Sequence, residues 1–117
     1  MTKQIIGAQG EVTIMKIDTL PENIETKTVE RGQSGHIISH SESGHHHCLT
    51  GGHVMERTSD VPAGMRKIYA ILEEPQQLIQ DAPGKPHESY DLAQGIYEFR
   101  IAREYDPFAE HARIVGD

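Results

Sequence analysis

Tryptophan is absent from this chain, aromatic residues fill only 5% of its 117 positions, and there is a single cysteine, Cys48. A lone thiol excludes an intrachain disulfide framework and fits a reducing compartment. With 36% hydrophobic residues, any core has to be thin and built mainly from Ile, Val, Leu and Met, so metal or subunit contacts would help to stabilise it. No apolar run is long enough to cross a bilayer, and the stretch from Met1 to Gly7 is too short in apolar residues for a signal peptide. The expected setting is cytoplasmic. Cations are scarce as well: 11 Lys and Arg stand against 18 Asp and Glu, a formal charge of −7. No basic stretch tracks a phosphate backbone, which argues against direct nucleic-acid binding, whereas an acidic surface suits solubility or docking onto a basic protein partner.

The length allows one domain over residues 1–117. Short alternating segments recur between Gly/Pro turns. Glu11 to Ile17 alternates between two faces and stops at Leu20-Pro21-Glu22-Asn23. Thr26 to Glu30, His36 to His40 and His53 to Arg57 read as further strands. In Met65 to Leu72, Ile68, Ala70 and Leu72 share one face and Lys67, Tyr69 and Ile71 the other. Pro75 makes a bend, after which Gln77 to Gln80 reads as an edge strand. Ala82 to Pro86 is a loop that delivers His87. The longest strand runs from Gly95 to Tyr105, with Tyr97, Phe99, Ile101 and Arg103 on one face and Ile96, Glu98, Arg100 and Ala102 on the other. Phe108 to Arg113 allows one short helical turn near the C-terminus. No helical period persists for three turns. The expected fold is all-β, a small single-domain barrel or sandwich, and its thin core and edge strands favour a homodimer.

What the chain has in quantity is histidine, eight in all, six of them between His36 and His53. His45, His46 and His47 are consecutive. On an extended strand His45 and His47 point the same way and His46 the opposite way, so the outer two form a two-ligand arm. His87, after the Pro/Gly loop, is the expected third ligand. Three neutral imidazoles hold a divalent metal (zinc, iron, nickel, copper or manganese) and leave a position for water or substrate. Glu88, Tyr90, His40 and His53 are candidates for a fourth donor, and Glu88 and Tyr90 for proton transfer beside the metal. Cys48 leans to the face opposite His47. Glu98, Arg100, Arg103 and Glu104 read as an ion-pair ladder across a sheet face. The sequence has no phosphate-cradling glycine loop and no nucleophile elbow.

Gly44-His45-His46-His47 with Pro83-Gly84-Lys85-Pro86-His87 resembles the paired motifs of the cupin class of small β-barrels. The resemblance implies a metal inside a barrel held by a His-x-His pair and a later histidine. The glutamate that cupins carry a few residues after the pair has no counterpart in Cys48 to His53. The chain is also similar to small bacterial and phage proteins that join Gly-His-x-His and a later His to Leu-x-x-Gly-x-Tyr, here Leu92 to Tyr97, and to Arg103-Glu104-Tyr105. Two functions are therefore expected as alternatives. One is a metal-binding β-barrel with a His45/His47/His87 site. The other is a non-catalytic acidic module of a phage or mobile element that binds and inhibits a host protein, its histidine cluster or metal serving structure alone.

Overall fold

The computed structural model describes residues 3–40, 46–80 and 89–102. Among these residues the chain is all-β, with two antiparallel sheets packed face to face. The strands are β1 (Lys3–Gln9), β2 (Val12–Ile17), β3 (Thr26–Thr28), β4 (Arg31–Gly32), β5 (Gly35–Ser39), β6 (His47–Leu49), β7 (His53–Arg57), β8 (Arg66–Leu72), β9 (Gln76–Gln80), β10 (Tyr90–Leu92) and β11 (Gly95–Ile101). The larger sheet has the order β1-β2-β11-β8-β7-β3 and the smaller β10-β9-β6-β5-β4. The last strand therefore enters the middle of a sheet begun by the first two, with Ile101 opposite Val12 on one side and Arg66 on the other. No described helix is long and apolar enough to cross a membrane.

Alternation decides which side chains fill the space between the sheets. Ile68 and Leu72 from β8, Tyr97, Phe99 and Ile101 from β11, and Val12 and Ile14 from β2 meet Ile38, Leu49, Leu78 and Leu92 of the smaller sheet. Full burial of one such side chain contributes roughly 1.5–3 kcal/mol, so this aliphatic layer carries the domain despite its shortage of aromatics. Tyr97 keeps its body in the core and donates its hydroxyl to the Ala93 carbonyl at 2.8 Å.

The reverse face of the larger sheet also buries its centre. Met15, Ile17, Tyr69 and Glu98 are all buried there, with Glu98 opposite Met15 on one neighbour and Tyr69 on the other. The Glu98 carboxylate accepts from Arg100 Nε at 2.5 Å and Lys3 Nζ at 3.3 Å. Burial by itself would raise its pKa, but the Arg100 hydrogen bond and charge, then Lys3, more than reverse this and hold it below the ordinary value. This is the Glu98/Arg100 part of the expected ladder; Arg103 and Glu104 lie outside the described residues.

One expectation needs correcting. Segment 77–80 is not an edge, because β10 pairs with β9 from Tyr90↔Leu78 to Leu92↔Gln76. Three residues, Tyr90 to Leu92, are too few to announce β10 by alternation. The bend 41–44, the loop 82–86 and the helical turn 108–113 lie outside the described residues.

Candidate functional site

At one end of the sandwich the hairpin of β1 and β2 meets β6. Gln9 pairs with Val12 across a two-residue turn, Gly10-Glu11, in which only the first residue has positive φ, +58°, as a type II′ hairpin requires. The turn lies under the imidazole of His47: a Cβ on Gly10 would stand 3.1 Å from both Cε1 and Nε2 of that ring. Glycine thus serves the turn and leaves room for the ring.

His47 is buried, and the residues either side of Gly10 hold it. Gln9 donates its Nε2 to the Leu78 carbonyl at 3.1 Å, which leaves its Oε1 directed at His47 Nδ1, 2.8 Å away. An amide oxygen only accepts, so Nδ1 carries the proton. The other ring nitrogen, Nε2, stands 3.4 Å from Glu11 Oε2, and the second oxygen of that carboxylate accepts from Ser39 Oγ at 2.6 Å. Ser39 lies directly opposite His47 on β5, and Gln80 opposite it on β9. A protonated Nδ1 with a carboxylate facing Nε2 defines a place for positive charge between Nε2 and Glu11, whether a proton or a metal ion.

The other described histidines are distributed elsewhere. His46 turns to the opposite side, as alternation requires, and meets the His40 ring edge-on at 4.7 Å between centroids. His40 lies 3.3 Å from Glu30 and His53 lies 3.6 Å from Glu73, so the structure brings neither of these expected fourth donors to His47. His36 faces Arg31; burial first, then the Arg31 charge, lowers its pKa. Cys48 is buried on the side away from His47, opposite Ile37 and Ile79. Tyr90 is opposite Leu78, and its ring covers Gly7 of β1 so closely that a Cβ there would meet Cε1 at 2.6 Å. His45, His87 and Glu88 lie outside the described residues. Among the described residues no three His, Cys, Asp or Glu side chains converge as a ligand set.

Gln9, Glu11 and Ser39 were not among the residues singled out from sequence. Glu11 marks the start of a strand and Gln9 precedes a glycine, and both patterns are common in hairpins. Only the pairing of β6 with β5 and the packing of the β1–β2 turn over β6 reveal that they share one imidazole.

Comparison with known proteins gives one family match, to a domain described as Domain of unknown function (DUF8820), over residues 8–102. No curated protein and no solved structure matches the chain.

Proposed function

The chain belongs to the DUF8820 family, and we propose that it binds a divalent metal ion at the His47/Glu11 end of the sandwich. His45, His47 and His87 are the histidine ligands on this reading, and Glu11 is the carboxylate. The observation that carries it is the state of His47: Nδ1–H is spent on Gln9, and Nε2 faces a carboxylate oxygen at 3.4 Å. A charge-assisted N–H···O bond is shorter, about 2.7–2.9 Å. Two donors that share an ion at about 2.0–2.1 Å in tetrahedral geometry stand roughly 3.3–3.4 Å apart. The separation therefore suits a shared ion better than a shared proton. The likeness to cupins becomes one of chemistry, with the carboxylate drawn from the β1–β2 turn instead of the strand that follows the histidine pair.

Each protein group has a defined task. Gln9 fixes the tautomer and the ring orientation, and Ser39 holds the Glu11 oxygen that is not aimed at His47. A bound divalent ion with an open position would polarise water or a small oxygen-donor ligand. Glu88 and Tyr90 are the groups proposed to carry a proton beside it. The cytoplasmic setting expected from the single cysteine is part of the same proposal.

Elemental analysis of the untagged chain is expected to return roughly one ion per chain, lost or strongly reduced in His47→Ala and Glu11→Gln and reduced in His45→Ala and His87→Ala. Metal content unchanged by His47→Ala, or a chain that takes up no zinc, iron, nickel or manganese on titration, overturns the reading. Gln9→Leu removes no ligand, yet it is expected to weaken metal affinity about 10- to 100-fold by freeing the ring. Competition with a metallochromic chelator measures that loss.

A further inference from the structure

The outer face of the larger sheet gathers positive charge, in a chain whose formal charge is −7. Thr13 lies opposite Arg100, and Arg100 opposite Lys67. The pairing of Glu56 with Ile68 sets Arg57 level with Lys67, and Thr26 lies opposite Arg57. One row across five strands therefore reads Thr-Arg-Lys-Arg-Thr, with a cation on each of the three central strands, β11, β8 and β7. Like charges directly opposite one another on paired strands are destabilising. A row that breaks this rule three strands wide calls for a functional reason.

The buried carboxylate of the next row, Glu98, does not balance these charges. It accepts from Arg100 and Lys3, so four cations, Lys3, Arg57, Lys67 and Arg100, surround one anion. Among the described residues the Lys67 ammonium has no hydrogen-bond or ion-pair partner. Burial first lowers its pKa; Glu98 raises it, and the Arg100, Arg57 and Lys3 charges oppose Glu98.

The two guanidinium groups beside Lys67 are held in place. Arg100 is anchored through Nε on Glu98. Arg57 donates its Nε to the Ser59 carbonyl at 2.7 Å and its Nη1 to the Tyr69 hydroxyl at 3.3 Å. Glu98 and Tyr69 are fully buried and lie opposite each other. Both arginines thus lean toward the same neighbouring row, with Lys67 between them. Two strand spacings, about 9–10 Å, separate their backbones, a span that two such side chains cover toward a shared ligand. Arg100 keeps both terminal nitrogens for it and Arg57 keeps Nη2.

The ligand follows from charge and from the number of donors. A carboxylate brings one charge and two oxygens, whereas a phosphate monoester brings nearly two charges and three strong acceptor oxygens. The rest of the chain is acidic and repels an extended polyanion, while a small dianion responds to the cations within a Debye length of about 8 Å. We propose that Arg100, Lys67 and Arg57 bind the phosphate group of a small soluble phosphomonoester, Lys67 and the terminal nitrogens of the two arginines donating to its oxygens.

Calorimetric titration of the full chain with inorganic phosphate in low-salt buffer is expected to show one site with a Kd on the order of 1 mM. Lys67→Gln should weaken it about tenfold, the effect of one hydrogen bond to a charged group, and Arg57→Gln by a similar factor. Lys67→Arg should retain the affinity. Lys27→Gln removes the same charge from the other face of the sheet, where Lys27 lies opposite Glu56, and should leave it unchanged. No binding by the wild type up to about 20 mM phosphate, far above the expected Kd, overturns the proposal. So does an equal loss in Lys27→Gln and Lys67→Gln, which would reduce the effect to net charge. Binding of a labelled RNA oligonucleotide or of phosphatidylserine vesicles more tightly than phosphate, abolished by Lys67→Gln, overturns it in favour of an extended polyanion.

Discussion

Alanine at position 35 is expected to destabilise the domain by about 3–5 kcal/mol, a large part of the roughly 5–15 kcal/mol that holds a domain of this size folded. Gly35 opens β5 with φ at +134°, where an L side chain is strained by about 1–3 kcal/mol. The collision adds to that strain. A Cβ there would lie 2.2 Å from the Leu49 carbonyl oxygen, 2.8 Å from its carbon and 3.0 Å from Thr50 Cα. All three atoms belong to the backbone of β6 and the residue that follows it, so no side chain can rotate out of the way, and overpacking of this kind costs a further ~1–3 kcal/mol. Urea unfolding measures the sum. Gly64→Ala isolates the strain, because its added methyl meets nothing within 4 Å; equal losses in the two variants would show that the β5–β6 contact is looser than described. Since β6 begins at His47, Gly35→Ala should also reduce the metal uptake proposed for that residue in whatever folded fraction persists.

The second large effect centres on Glu98. Replacing Arg100 with methionine leaves a fully buried carboxylate with Lys3, at 3.3 Å, as its remaining ion-pair partner, beside the Tyr69 hydroxyl and the Lys67 charge. Removing one partner of a buried pair can cost 3–5 kcal/mol, but the Arg100 side chain is about a third exposed, and solvent screening reduces the expected loss to about 2–3 kcal/mol at neutral pH. The pH dependence has a definite sign. Glu98 has a folded pKa below its ordinary 4.5, so its stabilisation is complete above that value and disappears as pH falls through the folded one. Glu56, which accepts two hydrogen bonds from Arg66, also has a lowered pKa, because that pair outweighs the effect of burial. It titrates in both proteins and cancels in the difference. Denaturant midpoints measured between neutral pH and pH 3 should therefore show the wild type and Arg100→Met far apart at pH 7 and converging below about 4.5. A gap that stays constant across this range would remove Glu98 as its source.

Alternation was the most informative signal in the sequence, and its reach had a physical limit. It works where one strand face is apolar over five or more residues, as in β8 and β11: Ile68, Ala70 and Leu72 share a face as expected, as do Tyr97, Phe99 and Ile101, and the structure turns both faces inward. It placed His46 and His47 on opposite sides, which the His40 ring and the Gln9 amide bear out. Short strands such as β4 and β10 lack enough residues to show a period. β1 escaped notice because its exposed edge carries no burial pattern, Ile5 and Ile6 being consecutive and both exposed. The partners of His47 were beyond any local pattern: Gln9 and Glu11 are separated from it by more than thirty residues, and the β1–β2 turn alone brings them to it.

The position of β11 has a consequence for how this protein is made. β2 joins the rest of its sheet through β11, so that residues 96–101 seat residues 12–17. A ribosome releases the N-terminal hairpin first, yet the hairpin has no partner strand within its own sheet until β11 has emerged. Gln9 and Glu11 therefore reach His47 late in assembly. A nascent chain stalled before Gly95 would contain both Glu11 and His47 and still lack the strand that seats the β1–β2 hairpin in its sheet.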